Sequence, residues 1–282
     1  KLCTAVAALE SGIITPTTTI RDQGVYTYYA YPQPKCWIYR QYGSTHGSIN
    51  VSQAITESCN YFFYETGRLT GIETIDNYAT QFGLGRSTGI ETGDSKGALA
   101  SPEYAKANEL EWTDGQTITA AIGQSYNLFT PIQLANYVAT LVGDGEHYKA
   151  HLLKNVKSYD NSSMIYAYDE GPENTVSISD STLQAVKEGM YGVANSTLSS
   201  QFSRCIVTCG AKTGSAQVGT DIANGTFVCF APYDDPQIAV AVVIEKGGSG
   251  AALAGVAVDI VNAYFSREEI GTAIIGENTL IS

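Results

Sequence analysis

Apolar residues at Leu2, Val6 and Leu9 recur with helical spacing, and Gly12 and Pro16 stand beyond them as stops. The pattern predicts an amphipathic helix over Lys1–Ser11. From Ile20 to Gly47 the chain is rich in Tyr, Pro and Gly and has no period. A loop that long inside a compact domain is usually functional or clamped by something. Asn50 or Ser52 is placed to cap a helix running to Glu57, and further helices are predicted over Tyr61–Leu69 and over Ile72–Phe82, the latter closed by Gly83. Residues 85–115 are turn-rich and 117–124 form a short apolar stretch. A helix begun at Thr130 spans Pro131–Val142, and strand-like pieces follow at His151–Tyr159 and Met164–Tyr168. After a helix over Ser179–Val193 come three strands, Ile206–Val218, Thr226–Ala231 and Ile238–Glu245. A closing helix, Ala251–Phe265, leads to a tail, Arg267–Ser282. Helices first, then a strand meander, then one helix: the order predicts an α/β chain with an antiparallel sheet.

The totals narrow the choice of partners. A net charge of -12 argues against nucleic acid and against charge-driven binding to an anionic membrane. No apolar run approaches the roughly 20 residues needed to span a bilayer. The chain opens on Lys1 without a start methionine or signal peptide, so it is expected to be a piece of something longer. Its six cysteines, at 3, 36, 59, 205, 209 and 229, include no CxxC pair. Cys205 and Cys209, if both lie on the predicted extended strand, are too far apart for a disulfide.

Candidate chemistry gathers around Lys212-Thr213-Gly214. On a strand, Lys212 and Gly214 share a face, and a glycine there lets another chain approach the backbone. With hydroxyls from Thr213 and Ser215, this is a place to dock an extended, carboxylate-bearing peptide by strand addition. Two further signals precede it: Ser58-Cys59-Asn60, at the junction of two predicted helices, and Lys1, at the head of another. The order lysine, Ser-x-Asn, Lys-Thr-Gly matches the end of an SxxK motif, an SDN-type triplet and KTG in penicillin-binding proteins and β-lactamases.

On these residues the chain resembles the transpeptidase domain of a class B penicillin-binding protein, of the elongation or spore-cortex type. His46-Gly47, Tyr61-Phe62-Phe63-Tyr64, Ile122-Gly123-Gln124, Thr130-Pro131-Ile132-Gln133 and Phe227-Val228-Cys229-Phe230-Ala231-Pro232 carry the same likeness. The resemblance implies an α/β, penicillin-binding/serine β-lactamase-like fold over residues 1–266. That fold has an antiparallel sheet flanked by helices, plus a helical subdomain, here expected without its N-terminal strands; residues 267–282 form a C-terminal tail. The strand Ile238–Glu245 would then lack a partner, to be supplied by Thr272-Ala273-Ile274-Ile275, a second chain or a separate N-terminal fragment.

The resemblance also implies chemistry. The parent protein would be a peptidoglycan D,D-transpeptidase, acylated on serine by a stem peptide ending in D-Ala-D-Ala and trapped by β-lactams. Lys1 would be the general base for a serine three residues before it, which these 282 residues do not include, so this polypeptide alone is expected to be inactive. Ser58 would relay a proton, Asn60 would hold Lys1 and the substrate amide, and Lys212 and Thr213 would bind the terminal carboxylate with room left at Gly214. The N–H of Ser215 would be an oxyanion donor. No cofactor is expected for catalysis, but Asp22, Cys36, His46 and Cys59 would hold a structural zinc ion beside Ser58. The site would face the outside of a bacterial membrane, anchored by a helix absent from this chain. Rival readings are a β-lactam sensor or non-catalytic cell-wall scaffold and, at a greater distance, a class D-like β-lactamase.

Overall fold

The computed structural model describes residues 1–218 and 222–270. The first half contains α1 (Leu2–Glu10), β1 (Ile20–Asp22), α2 (Trp37–Tyr42), β2 (Gly47–Ile49), α3 (Val51–Thr56), α4 (Asn60–Thr70), α5 (Ile72–Gln81), α6 (Pro102–Ala107), α7 (Asp114–Ala120) and α8 (Pro131–Val142). The second contains β3 (Glu146–His147), β4 (Asn155–Lys157), β5 (Met164–Ala167), β6 (Asn174–Thr175), α9 (Asp180–Gly192), α10 (Ser199–Phe202), β7 (Gly210–Gln217), β8 (Ala223–Ala231), β9 (Ile238–Ile244) and α11 (Ala254–Ile270).

The first helix is not amphipathic, as its spacing suggests, but buried on every side from Leu2 to Leu9. Helices α4, α5 and α9 pack around it, and a helix enclosed all round needs no polar face. Its one buried hydroxyl, Thr4, donates to the Ala121 carbonyl at 2.8 Å.

Strands β7, β8 and β9 form an antiparallel meander in which Lys212 lies opposite Val228 and Gly214 opposite Thr226. One face packs Ala211, Phe227, Cys229 and Val240 against Leu253, Val258 and Val261. The other, through Val228 and Phe230, joins the larger core built on α1. Among the described residues β9 pairs on one edge only, with β8.

Three boundaries differ from expectation. The unpatterned stretch 20–47 contains β1, α2 and, at its end, β2; the two strands pair in register Ile20↔Ile49 to Asp22↔Gly47. Strands of three residues are too short to display a period. Strand β7 begins at Gly210 rather than Ile206, because residues 205–208 turn. Cys205 and Cys209 therefore do not share an extended strand, and their sulfurs lie 3.4 Å apart instead of out of reach. Finally, α11 continues to Ile270, past the predicted start of the tail. Residues 271–282, with the segment 272–275 proposed to cover β9, lie outside the described residues.

Candidate active site

Ser58 is presented by the way α3 ends. That helix opens on a reciprocal cap between Asn50 and Gln53. At its close the Ser58 N–H donates to Ile55 O at 3.2 Å and the Cys59 N–H to Ala54 O at 3.0 Å. These are the crossed bonds of a Schellman cap, whose left-handed position is usually glycine. Here that position is Ser58, at φ 51°, a conformation that costs a side-chain-bearing residue about 1–2 kcal/mol. The strain places a hydroxyl where glycine would have none. Cys59 then caps α4, its Sγ accepting from the Phe62 N–H, and Asn60 opens that helix.

Two lysines from opposite ends of the chain converge on this turn. Lys1 Nζ donates to Ser58 O at 2.8 Å, to Ser58 Oγ at 3.0 Å and to Asn60 Oδ1 at 2.6 Å. Lys212 Nζ donates to the same Ser58 Oγ at 2.9 Å and to Thr213 O at 3.0 Å. Phe63, unremarked among the apolar residues of α4, lies under the Lys1 ammonium. Burial lowers the Lys1 pKa to about 8. Burial first and repulsion from Lys1 second lower that of Lys212 well below the usual lysine range. With both lone pairs of Ser58 Oγ taken by lysine donors, the hydroxyl hydrogen is left to point elsewhere.

Strand β7 forms the far wall. The carbonyl of Thr213 accepts from Lys212, and that of Ser215 faces Gln124 Nε2 at 3.4 Å, so both carbonyls leave the edge away from β8. A strand residue's N–H and C=O leave by the same edge, and the Ser215 N–H therefore faces the cleft. Its hydroxyl does not: Ser215 Oγ accepts from the Gly250 N–H at 3.1 Å. A Cβ on Gly214 would meet only Thr226, at an ordinary 3.4 Å, so no protein atom claims the room there. The glycine the sheet itself requires is Gly250, whose Cβ would fall 2.2 Å from Gly214 O and 2.3 Å from Thr226 O. The run Gly247-Gly248-Ser249-Gly250 announces a turn without revealing this contact, and nothing in the sequence signals the reach of Gln124.

Behind Ser58 lie Asp22, Cys36, His46 and Cys59, with ligand atoms all within 4.8 Å of one another. The β1–β2 ladder puts Asp22 beside His46. The Cys36 N–H donates to Gly24 O at 2.8 Å, returning Cys36 to the same place. Gly24 permits this, at φ 84° and with the Tyr39 ring where a Cβ would stand. Tetrahedral zinc with bonds of about 2.0–2.3 Å sets its ligands roughly 3.3–3.8 Å apart. The distances are 3.8 Å for the two sulfurs, 3.6 Å for Cys36 Sγ to His46 Nδ1 and 3.7 Å for Cys59 Sγ to Asp22 Oδ2. The short edge is a direct His46 Nδ1–Asp22 Oδ2 hydrogen bond of 2.8 Å. His46 Nε2 is buried without a partner, so no hydrogen bond elsewhere competes for the ring. The Cys59 thiol, against the effect of burial, draws Cys36 down to about 5, in the thiolate form a metal takes. The donor set fits zinc.

All eleven residues singled out from the sequence thus fall into two adjoining groups: Lys1, Ser58, Asn60 and Lys212–Ser215 line the cleft, and Asp22, Cys36, His46 and Cys59 lie behind it.

Residues 1–265 match the family described as the penicillin binding protein transpeptidase domain. Among similar proteins is the peptidoglycan D,D-transpeptidase MrdA of Escherichia coli K12, 32% identical over 271 residues, covering 88% of this chain and 42% of that protein. The penicillin-binding protein 2A of Bacillus subtilis is 30% identical over 275 residues, covering 86% of this chain and 36% of that protein. The chain thus spans less than half the length of these curated relatives. Pseudomonas aeruginosa PBP2, solved in complex with WCK 5153, superposes with a TM-score of 0.82 at 29% identity, over 93% of this chain and 57% of that one. The fold is that of the penicillin-binding transpeptidases.

Proposed function

The chain belongs to the penicillin-binding protein transpeptidase domain family, and on that premise we propose that it is the acyl-transferring part of a peptidoglycan D,D-transpeptidase. The observation that carries the reading is the convergence of Lys1 and Lys212 on one strained hydroxyl, at 3.0 and 2.9 Å, beside Asn60 and the unpaired edge of β7.

The nucleophile would be a serine one helical turn before Lys1, on the same face. Lys1, its charge weakened by burial, takes that serine's proton. Ser58, whose lone pairs are occupied, hands its hydrogen towards the leaving amine and is reprotonated from the lysine side. Asn60 fixes the Lys1 ammonium. Lys212, Thr213 and the space at Gly214 receive the terminal carboxylate of a D-Ala-D-Ala stem peptide laid along β7, and the Ser215 N–H steadies the developing oxyanion. A β-lactam would enter as the same peptide and remain as a stable acyl group. Zinc held by Asp22, Cys36, His46 and Cys59 would take no part in the reaction; it would tie the segment 20–47 to the turn that presents Ser58. The rest of the parent protein is the structural partner of this domain, and the site would work on the outer side of a bacterial membrane. Among the described residues no helix is long and apolar enough to cross one.

The test is covalent labelling by a fluorescent penicillin, read after denaturation. A chain extended upstream through the serine should label stoichiometrically, and the 282-residue polypeptide should not. A folded, extended chain that stays unlabelled would overturn the reading.

A further inference from the structure

Cys205 and Cys209 belong neither to the cleft nor to the cluster behind Ser58. Their sulfurs lie 3.4 Å apart, and the turn between them is held from outside. The Cys205 N–H donates to Phe202 O and the Tyr233 N–H to Thr208 O, both at 2.9 Å. Asn262 of α11 spans the middle: its Oδ1 accepts from the Ile206 N–H at 2.9 Å and its Nδ2 donates to Arg204 O at 3.0 Å. Main-chain bonds therefore set the shape of the turn, and the two thiols face each other without being joined. Cys209 is buried and Cys205 half-buried, so a reagent from solvent meets Cys205 first. The Cys209 thiol, hydrogen-bonded to it, pulls the Cys205 pKa down to about 6. Metal binding is the poorer use, because among the described residues the grouping of three or more metal-ligating side chains does not include this pair.

We infer that Cys205 and Cys209 are an oxidation site, closing to an intramolecular disulfide by exchange with a small-molecule disulfide and so pinning the turn from which β7 departs. The Cys205 thiolate attacks one sulfur of the reagent, forms a mixed disulfide and expels the other sulfur as a thiolate, which takes up a proton. The Cys209 thiol then gives its proton to solvent and attacks Cys205 Sγ, expelling the second reagent thiolate. Two protein thiols are oxidised by two electrons, and one reagent disulfide is reduced to two thiols. Pre-set geometry favours the second step over loss of the adduct. Lys212 lies on the strand just beyond, so the bond would fix the approach to the cleft.

The sequence makes the test direct. Trypsin cuts after Arg204 and after Lys212, releasing residues 205–212 with these two cysteines and no other. The protein is incubated with oxidised glutathione, alkylated under denaturing conditions without reductant, and digested. The expected peptide is lighter by two hydrogens, carries no alkyl group, and gains two alkyl groups once reduced. In Cys209→Ser the second step is impossible, and Cys205 should instead retain glutathione. The inference is overturned if the wild-type peptide carries two alkyl groups, keeps glutathione on Cys205, or is cross-linked to a peptide bearing another cysteine. The wild-type readout stands whether or not the variant folds.

Discussion

Each wall of the cleft has a pair of sulfurs behind it, and the pairs differ in their company. Behind Ser58 and Asn60, Cys36 and Cys59 lie 3.8 Å apart; behind the strand that carries Lys212, Cys205 and Cys209 lie 3.4 Å apart. The first pair shares its space with a buried carboxylate and an imidazole. The second is surrounded by main chain and the amide of Asn262. Nearly equal separations thus lead to different chemistry. With a third and fourth ligand at hand two thiols are half of a metal site, and without them each is the other's natural partner. Distance along the chain does not decide the matter, since the first pair is separated by 23 residues and the second by 4.

The most severe way to break this contrast is Cys36→Ala. It should lower bound zinc from about one per chain to almost none and destabilise the fold by several kcal/mol, because the metal's binding energy is also folding energy. Metal analysis and thermal unfolding read both effects, and Cys205→Ala should leave the zinc content unchanged. Stoichiometric zinc in the Cys36 variant would remove the first pair from the comparison.

Next in size is Lys212→Ala in a chain extended to include the serine. Acylation by a fluorescent penicillin should fall about 10²–10⁴-fold, with zinc retained and residues 205–212 still closing when oxidised, both measurable by mass spectrometry. A loss of zinc would mean that the two walls are not independent.

The pH profile of the same acylation sharpens the division of labour between the lysines. Lys1 acts only when neutral, so the rate should rise about tenfold per pH unit and level off near the Lys1 pKa of about 8. Asn60→Asp puts a carboxylate on the Lys1 ammonium, favours its charged form and should move the rise to higher pH. A profile unmoved by that change would take Lys1 out of the base role.

The smallest effect belongs to the second pair. Closing so short a loop removes about 2 kcal/mol of chain entropy from the unfolded state. In a domain of this size that should raise the melting temperature by several degrees. Differential scanning calorimetry of the oxidised and reduced protein, with Cys205→Ser as control, gives the difference.

The legibility of the chain follows the range of the interactions that shape each region. Helix α8 could be read to the residue, because Thr130, Pro131 and Gln133 write its start locally. The cap at Asn50 could be read for the same reason. The onset of β7 could not: alternation from Ile206 looks continuous, and the turn is held by Asn262, 56 residues away from Ile206. The all-round burial of α1 depends on three helices later in the chain. In the site, the order of Lys1, Ser58–Asn60 and Lys212–Gly214 pointed to the chemistry. The left-handed backbone of Ser58 had no signal, since serine has no preference for it. The ligand set behind it was available only through the resemblance, because strands as short as β1 and β2 do not declare that Asp22 and His46 are neighbours.

Gly250 carries a mechanical consequence. Its main chain sits against those of Gly214 and Thr226 so closely that a methyl group would overlap both carbonyl oxygens. Two backbones in such contact cannot slide past one another, so the start of α11 and the middle of β7 are geared together. The helix beyond is 17 residues long, a lever of about 25 Å. Load applied at its far end would therefore arrive at Gly214 as a displacement of the strand on which the substrate is to lie.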